Sequence, residues 1–191
     1  MGLTLVIGNK RYSSWSLRGW LAARLTGEPV AEEMIWLDRP ETRAALLAVS
    51  PAARVPVLKH QGRTIWDSLA IGLYLERQFP RAGLLPADPD AQAHCLAIVA
   101  EMHAGFAALR GTLPMDLLGR DPGRARPPEV EEDVRRIAAL WEDCRARFGA
   151  GGPFLFGARP TLADCFYAPV ASRFVTYAVP LPPAAAAYRD T

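Results

Sequence analysis

The sequence has few of the residues that would point to thiol or metal chemistry. Its three cysteines, Cys95, Cys144 and Cys165, are far apart, and none has Cys-x-x-Cys or metal-ligand spacing. Each lies in an apolar, helical context, which predicts buried packing. We therefore expect no metal site and no cysteine nucleophile near the amino terminus.

Net charge and long apolar runs are also scarce. The 191 residues carry a net charge of +2, and all of the 22 basic residues except Lys10 and Lys59 are scattered arginines. This balance argues against a nucleic-acid partner. No apolar run approaches membrane-spanning length, and the amino terminus lacks a signal-peptide pattern. We expect a cytoplasmic protein with no membrane partner.

The chain does contain two blocks of predicted elements. Residues 1–80 read as strand, helix, strand (residues 30–37), helix, hairpin (with its turn at His60-Gln61-Gly62) and helix. This order predicts one mixed sheet covered by helices on both faces. Residues 81–89 are rich in proline and predict a linker. Residues 90–191 read as helical, with a first helix predicted from Asp90, as its N-cap, to Leu109. The fold prediction is an α/β domain followed by an all-α domain.

Hydroxyl side chains occupy the first predicted strand-to-helix turn. The apolar run Leu3–Ile7 is followed by Tyr-Ser-Ser-Trp-Ser-Leu-Arg at positions 12–18, where a helix is expected to begin. The unpaired N–H groups and positive dipole end of a helix amino terminus stabilise an anion and lower the pKa of a thiol. Alternatively, Ser13 or Ser14 is a helix N-cap and nothing more.

Two later segments likewise have either a structural role or a ligand-binding role. Val55-Pro56 opens a predicted strand, so the proline suggests either a bend with a cis peptide or an ordinary edge-strand residue. Asp67-Ser68 opens a predicted helix, where the pair either caps the helix or binds the ammonium and carboxylate of an amino-acid-like ligand. Arg54 could hold a second carboxylate.

These segments together resemble the glutathione transferases over nearly the whole chain. The matching segments are residues 13–18, 50–58 and 67–71, and Thr161-Leu-Ala-Asp164 followed by Ala168-Pro169. The first of them is most similar to the serine-type zeta class, with the tau class as a second relative. The resemblance implies a thioredoxin-like first domain (residues 1–80), an all-α second domain (residues 90–191), glutathione as co-substrate and a homodimer.

The resemblance also implies roles for individual residues. Ser13 would hydrogen-bond the glutathione sulfur, with Ser14 and Tyr12 as alternatives. The other glutathione contacts would be the backbone of Val55 beside cis-Pro56 for the cysteinyl part, Asp67 and Ser68 for the γ-glutamyl end, and Arg54 for the glycine carboxylate. Thr161 and Asp164 would form a structural, buried capping box.

The electrophile pocket implied by the resemblance draws on both domains. Its residues would be Tyr12, Trp15, Met102, His103, Phe106 and Arg110, the last four on one helical face by their spacing. Core packing is the alternative for Met102 and Phe106, and a solvated helix face is the alternative for His103 and Arg110.

The predicted function is a glutathione transferase, in a detoxification role, that activates the thiol for attack on a hydrophobic electrophile. Conjugation, glutathione-dependent isomerisation and peroxide reduction stay open, and a non-catalytic ligand- or protein-binding module is the alternative. Trp15 stands where the zeta class has cysteine, and Asp67 replaces its glutamine, which argues against the zeta isomerase reaction more than against glutathione binding. Because the chain stops soon after Pro182-Pro183, we expect that one or more final helices are missing.

Overall fold

The computed structural model describes residues 2–191, which divide into two compact units, residues 2–84 and 85–191. The division falls inside the predicted linker at residues 81–89. No helix within residues 2–191 combines the length and the apolar character that crossing a bilayer would require.

The first unit is a four-stranded mixed sheet with three α-helices. The strand order is β2-β1-β3-β4, with β1 parallel to β2, while the β1–β3 and β3–β4 pairs are antiparallel. The elements are β1 (Leu3–Ile7), α1 (Ser14–Leu25), β2 (Val30–Met34), α2 (Thr42–Val49), β3 (Val57–His60), β4 (Arg63–Ile65) and α3 (Ser68–Gln78). Both central strands are mostly buried, and α1 packs against β1 and α3.

The hairpin between β3 and β4 forms where the sequence predicts it. Gln61 and Gly62 both have positive φ, at 50° and 75°. Two central residues with positive φ are the geometry of a two-residue hairpin turn that matches the twist of its strands. The predicted second strand, residues 30–37, is longer than the observed one, because β2 ends at Met34 on the exposed edge of the sheet.

The second unit is helical. Its elements are α4 (Pro89–Ala104), α5 (Ala107–Thr112), α6 (Pro128–Phe148), α7 (Leu162–Thr176) and α8 (Pro183–Arg189), and a short 3₁₀ helix (Pro80–Ala82) closes the first unit. The helix α7 is buried along most of its length and packs against α4 and α8.

Two details of α4 differ from the sequence expectation. The predicted helix from Asp90 to Leu109 is interrupted, because Phe106 has a left-handed backbone at φ 57° directly after Gly105. The N-cap is Asp88 rather than Asp90, since Asp88 Oδ1 accepts the N–H of Ala91 at 2.8 Å.

Candidate functional site

In the turn between β1 and α1, the Ser13 hydroxyl makes no hydrogen bond to the backbone of the helix that follows. Ser13 is the N-cap residue of α1 by position, yet its side chain makes no hydrogen bond to the N–H groups of the first turn. Capping alone therefore does not account for Ser13. Its hydroxyl stands at the positive end of the helix dipole, where an anion is stabilised.

The Ser13 hydroxyl instead joins a buried polar chain. It donates to Ser16 Oγ at 2.8 Å, and Ser16 Oγ also accepts the N–H of Gly8 at 2.9 Å. Both serines are largely buried, with 7% of Ser13 and 3% of Ser16 exposed. Gly8 leaves no room for a side chain, because a Cβ there would lie 2.6 Å from Leu37 Cδ1 and 3.1 Å from Ser13 Oγ. Leu37 thus packs against Gly8, directly beside the Ser13 hydroxyl.

Ser14 and Tyr12, the alternatives to Ser13 for the sulfur contact, differ in how exposed they are. Ser14 is buried in the first turn of α1, and its N–H donates to Tyr12 O at 3.0 Å. Tyr12 is 41% exposed. Trp15 is half-buried, and the guanidinium of Arg18 lies 4.4 Å from the centre of its ring.

The Val55–Pro56 segment lies against α1. Its peptide bond is cis, one of the two forms that the residues left open and the one that the resemblance implies, and the Trp66–Asp67 bond is also cis. Gly19 of α1 allows the close approach, since a Cβ at that position would lie 2.9 Å from Pro56 Cγ. Among residues 2–191, no backbone hydrogen bond involves Val55. Its N–H and C=O therefore remain for an extended peptide to pair with.

The two polar residues at the start of α3 have different roles. Asp67 is a true N-cap, because its Oδ1 accepts the N–H of Leu69 at 3.0 Å and, more weakly, the N–H of Ala70 at 3.5 Å. Ser68 is fully buried, and in the described part of the chain its hydroxyl has no hydrogen-bond partner. A buried hydroxyl without a partner costs about 1–3 kcal/mol, which a carboxylate held at this helix terminus would recover.

Arg54 lies just before the cis bond and is exposed. It makes no ion pair with any other residue between positions 2 and 191. A free guanidinium can receive a carboxylate in bidentate geometry.

The residues that the sequence assigns to the second half of an electrophile pocket do not share one helix face. Met102 and His103 belong to α4, whereas Phe106 lies at the break and Arg110 in α5. The expectation of a common helical face is wrong, because the left-handed backbone of Phe106 turns the chain. Met102 and Phe106 are buried, as core packing predicts, while His103 and Arg110 are half-buried. Their pocket role stays a prediction.

The Thr161–Asp164 capping box is present at the start of α7 and is buried. Asp164 accepts the N–H of Thr161 at 2.7 Å and the N–H of Leu155 at 3.1 Å, and Tyr188 Oη donates to it at 2.9 Å. Desolvation outweighs these hydrogen bonds and raises the pKa of the Asp164 carboxyl. The box joins α7, the preceding loop and α8.

The cysteines are unsuited to nucleophilic chemistry. All three are free and buried in the helical unit. Burial raises the pKa of the Cys144 thiol to about 12 and raises the pKa of Cys165 further. Because the thiolate is the reactive form, a reacting sulfur would have to come from a ligand.

Comparison with known proteins gives the same organisation. Family models described as the N-terminal and C-terminal domains of glutathione S-transferase match residues 12–78 and 127–191. Maleylacetoacetate isomerase from Rhizobium meliloti is 32% identical over 161 residues, which are 82% of this chain and 75% of the relative. The chain belongs to the glutathione S-transferase family.

Other members of the glutathione S-transferase family extend this result. Maleylpyruvate isomerase from Ralstonia is 28% identical over 182 residues, covering 91% of this chain and 86% of the relative. The crystal structure of maleylacetoacetate isomerase from Anaeromyxobacter dehalogenans, which contains bound glutathione, has a TM-score of 0.67 at 28% identity, covering 98% of this chain and 88% of that one. The chain spans 65% of the length of a probable maleylacetoacetate isomerase from Caenorhabditis elegans and 30% of the length of another from Drosophila melanogaster.

These findings confirm the predicted family and fold, a thioredoxin-like sheet domain followed by a helical domain. The relatives are named as glutathione S-transferases and as maleylpyruvate or maleylacetoacetate isomerases, which agrees with the predicted enzyme class. The roles of individual residues in this member of the glutathione S-transferase family remain predictions.

Sequence reasoning missed Gly8, Ser16 and Leu37. The signal for Ser16 was available, since it follows Ser13 by three residues and such a spacing brings side chains together at a helix start. Gly8 and Leu37 carry no comparable signal, because their contact joins the loops that follow two different strands.

Proposed function

We propose that this chain is a glutathione transferase that stabilises the thiolate of glutathione for reaction with a small, hydrophobic electrophile. The observation that carries the proposal is the N-cap position of Ser13 with a hydroxyl that does not bond to the helix backbone. A hydroxyl donor and a helix amino terminus both favour the ionised form of a sulfur held against them.

The other polar groups of the first unit fit the rest of the tripeptide. Val55 has backbone groups without partners among residues 2–191, suited to the cysteinyl part. Ser68, supported by Asp67 at the start of α3, is suited to the γ-glutamyl carboxylate, and Arg54 is suited to the glycine carboxylate. Ser14 is the reserve candidate for the sulfur contact, ahead of the exposed Tyr12.

The names of the relatives favour isomerisation among the reactions that remain open. Maleylpyruvate isomerase and maleylacetoacetate isomerase both act on a cis-unsaturated acid, as their names state. In such a reaction a thiolate adds to the double bond, the bond rotates, and the thiolate leaves again. Because Trp15 and Asp67 argue against the zeta isomerase reaction while the names of the relatives favour it, we propose isomerisation and conjugation in detoxification as two alternatives for the chain.

The finer parts of the assignment are proposals as well. We place the glutathione domain at residues 1–80, the linker at 81–89 and the substrate domain at 90–191. The proposed electrophile contacts are Tyr12 and Trp15 in the first unit and Met102, His103, Phe106 and Arg110 in the second, without a metal. A cytoplasmic homodimer is the proposed state of the whole protein.

Steady-state kinetics with glutathione test the proposal. The substrates are a chloronitrobenzene for conjugation and a maleyl-substituted keto acid for isomerisation. Ser13→Ala should lower kcat/KM about 100-fold or more, because it removes a donor aimed at the reacting anion. The matched control is Ser172→Ala, which removes a hydroxyl that donates to Pro169 O within α7 and should leave turnover unchanged.

Two outcomes would count against this assignment. Glutathione binding measured by calorimetry, but without turnover of either substrate, would favour the non-catalytic binding module. Absence of glutathione binding in the native protein would overturn the proposed function altogether.

A further inference from the structure

The hydroxyl of Ser13 is held by a partner that itself takes a backbone hydrogen bond. Ser16 Oγ accepts from the N–H of Gly8 at 2.9 Å and from the Ser13 hydroxyl at 2.8 Å. A serine hydroxyl has one proton and two lone pairs. The Gly8 N–H therefore always occupies one lone pair of Ser16 Oγ, and the second hydrogen bond joins the two hydroxyls.

Two hydroxyl oxygens 2.8 Å apart share one hydrogen bond, which either serine can donate. While the Ser13 proton points to Ser16, the exposed side of Ser13 can only accept a hydrogen bond, which suits a neutral thiol. A thiolate accepts the Ser13 proton, and a donor to the Ser13 oxygen then strengthens that hydrogen bond by polarising it. Ser16 is the hydroxyl placed at 2.8 Å to act as that donor.

We propose that Ser16 is a positioning residue that reverses its hydrogen bond to Ser13 when the glutathione thiol ionises. The resulting chain runs from the Gly8 N–H to Ser16, from the Ser16 hydroxyl to Ser13, and from the Ser13 hydroxyl to the sulfur anion. Each serine proton rotates about its own C–O bond, no covalent bond of the protein changes, and the thiol proton leaves to solvent. The inference rests on the proposed function.

The surroundings favour such a chain. Hydrogen bonds in a chain polarise one another, and the effect is larger where water is excluded. Ser13 and Ser16 are buried, and Leu37 packs against Gly8 beside them. The Gly8 N–H is fixed at the end of β1, so it always points its positive end at Ser16.

A purely structural role for Ser16 is the competing explanation. In that case Ser16 only satisfies the Gly8 N–H, and its removal destabilises the protein by about 1–3 kcal/mol, the cost of an unpaired buried group. That role does not change the ionisation of a bound ligand. The pKa of the bound thiol therefore separates the two explanations.

The experiment titrates the thiol of protein-bound glutathione by the ultraviolet absorbance of its thiolate. The proteins are the native chain, Ser13→Ala, Ser16→Ala, Ser16→Thr and the double variant Ser13→Ala/Ser16→Ala. We expect Ser16→Ala to raise the bound thiol pKa by about one unit, which is about tenfold less thiolate at a pH below it. Ser16→Thr, which keeps the hydroxyl, should retain the native value.

The double variant tests whether Ser16 acts through Ser13. Coupled residues show non-additive effects, so the double variant should have the same bound thiol pKa as Ser13→Ala alone. If Ser16→Ala does not fold, Ser16→Cys keeps the side-chain size with a weaker donor and should also raise the thiol pKa.

The inference is overturned if Ser16 variants leave the bound thiol pKa unchanged while Ser13→Ala raises it. It is also overturned if the effects of Ser13→Ala and Ser16→Ala add in the double variant. Calorimetry of glutathione with the native protein distinguishes this failure from failure of the proposed function, because a native chain that binds no glutathione contradicts both.

Discussion

The helices α1 and α7 both begin at a hydroxyl residue, but only α7 uses that residue to close its own end. At α7, Thr161 and Asp164 form a reciprocal capping box inside the helical unit. At α1, the Ser13 side chain makes no bond to the helix backbone and turns to Ser16 instead. The same kind of sequence signal thus serves stability in one helix and leaves a donor for a ligand in the other.

The difference follows from what surrounds each helix start. Asp164 is contacted by groups from the loop before α7 and from α8, so its position is fixed by three parts of the unit. The first turn of α1 contains no acidic residue that could complete a capping box. Its N–H groups and dipole are left for an anion from outside.

The largest effect on stability is expected from Asp164→Ala. The change leaves the buried N–H groups of Thr161 and Leu155 and the Tyr188 hydroxyl without their acceptor. We expect a loss of about 3 kcal/mol or more in the free energy of unfolding, because each unpaired buried group is costly. Urea denaturation measures the loss, and a value below about 1 kcal/mol would show that the box does not hold the unit together.

A matched pair of N-cap truncations tests the comparison directly. Thr161→Ala should cost about 1–2 kcal/mol, as usual for a working N-cap. Ser13→Ala should cost less than Thr161→Ala, because its hydroxyl makes one hydrogen bond, with Ser16, and caps nothing, although it should reduce turnover strongly. Urea denaturation of both variants gives the two values. Equal losses of stability would mean that Ser13 is an ordinary cap.

The smallest expected effect is a pH dependence at α7. Desolvation raises the pKa of Asp164 above its unfolded value of 3.8. In the pH range between the unfolded and folded pKa values the folded state holds more protons, so the contribution of Asp164 to stability is full at low pH and falls as the pH rises. The unfolding free energy of the native chain minus that of Asp164→Asn should therefore decrease with pH. An increase would show that the donors around Asp164 outweigh desolvation.

Much of this architecture could be predicted from the sequence because its signals are local. The run Leu3–Ile7, the Gln61-Gly62 turn and the spacing of Thr161 and Asp164 each contain their own physical reason. The break after Gly105 was missed, since Phe106 is an ordinary helix residue by composition and its left-handed backbone depends on packing.

The candidate site was predictable in its parts but not in its connections. Ser13, Val55, Asp67 and Ser68 lie at the ends of predicted elements, where functional groups are expected. Whether a serine caps a helix or leaves it uncapped depends on side-chain direction, which no pattern in residues 12–18 encodes. The contact of Leu37 with Gly8 joins positions 29 residues apart and needed the fold.

A crystal structure of the protein soaked with glutathione tests the central claim most directly. We predict that the glutathione sulfur lies within hydrogen-bonding distance, about 3.5 Å, of Ser13 Oγ. We also predict that the γ-glutamyl carboxylate lies at Ser68. A sulfur that contacts Tyr12 or solvent instead of Ser13 would contradict the account.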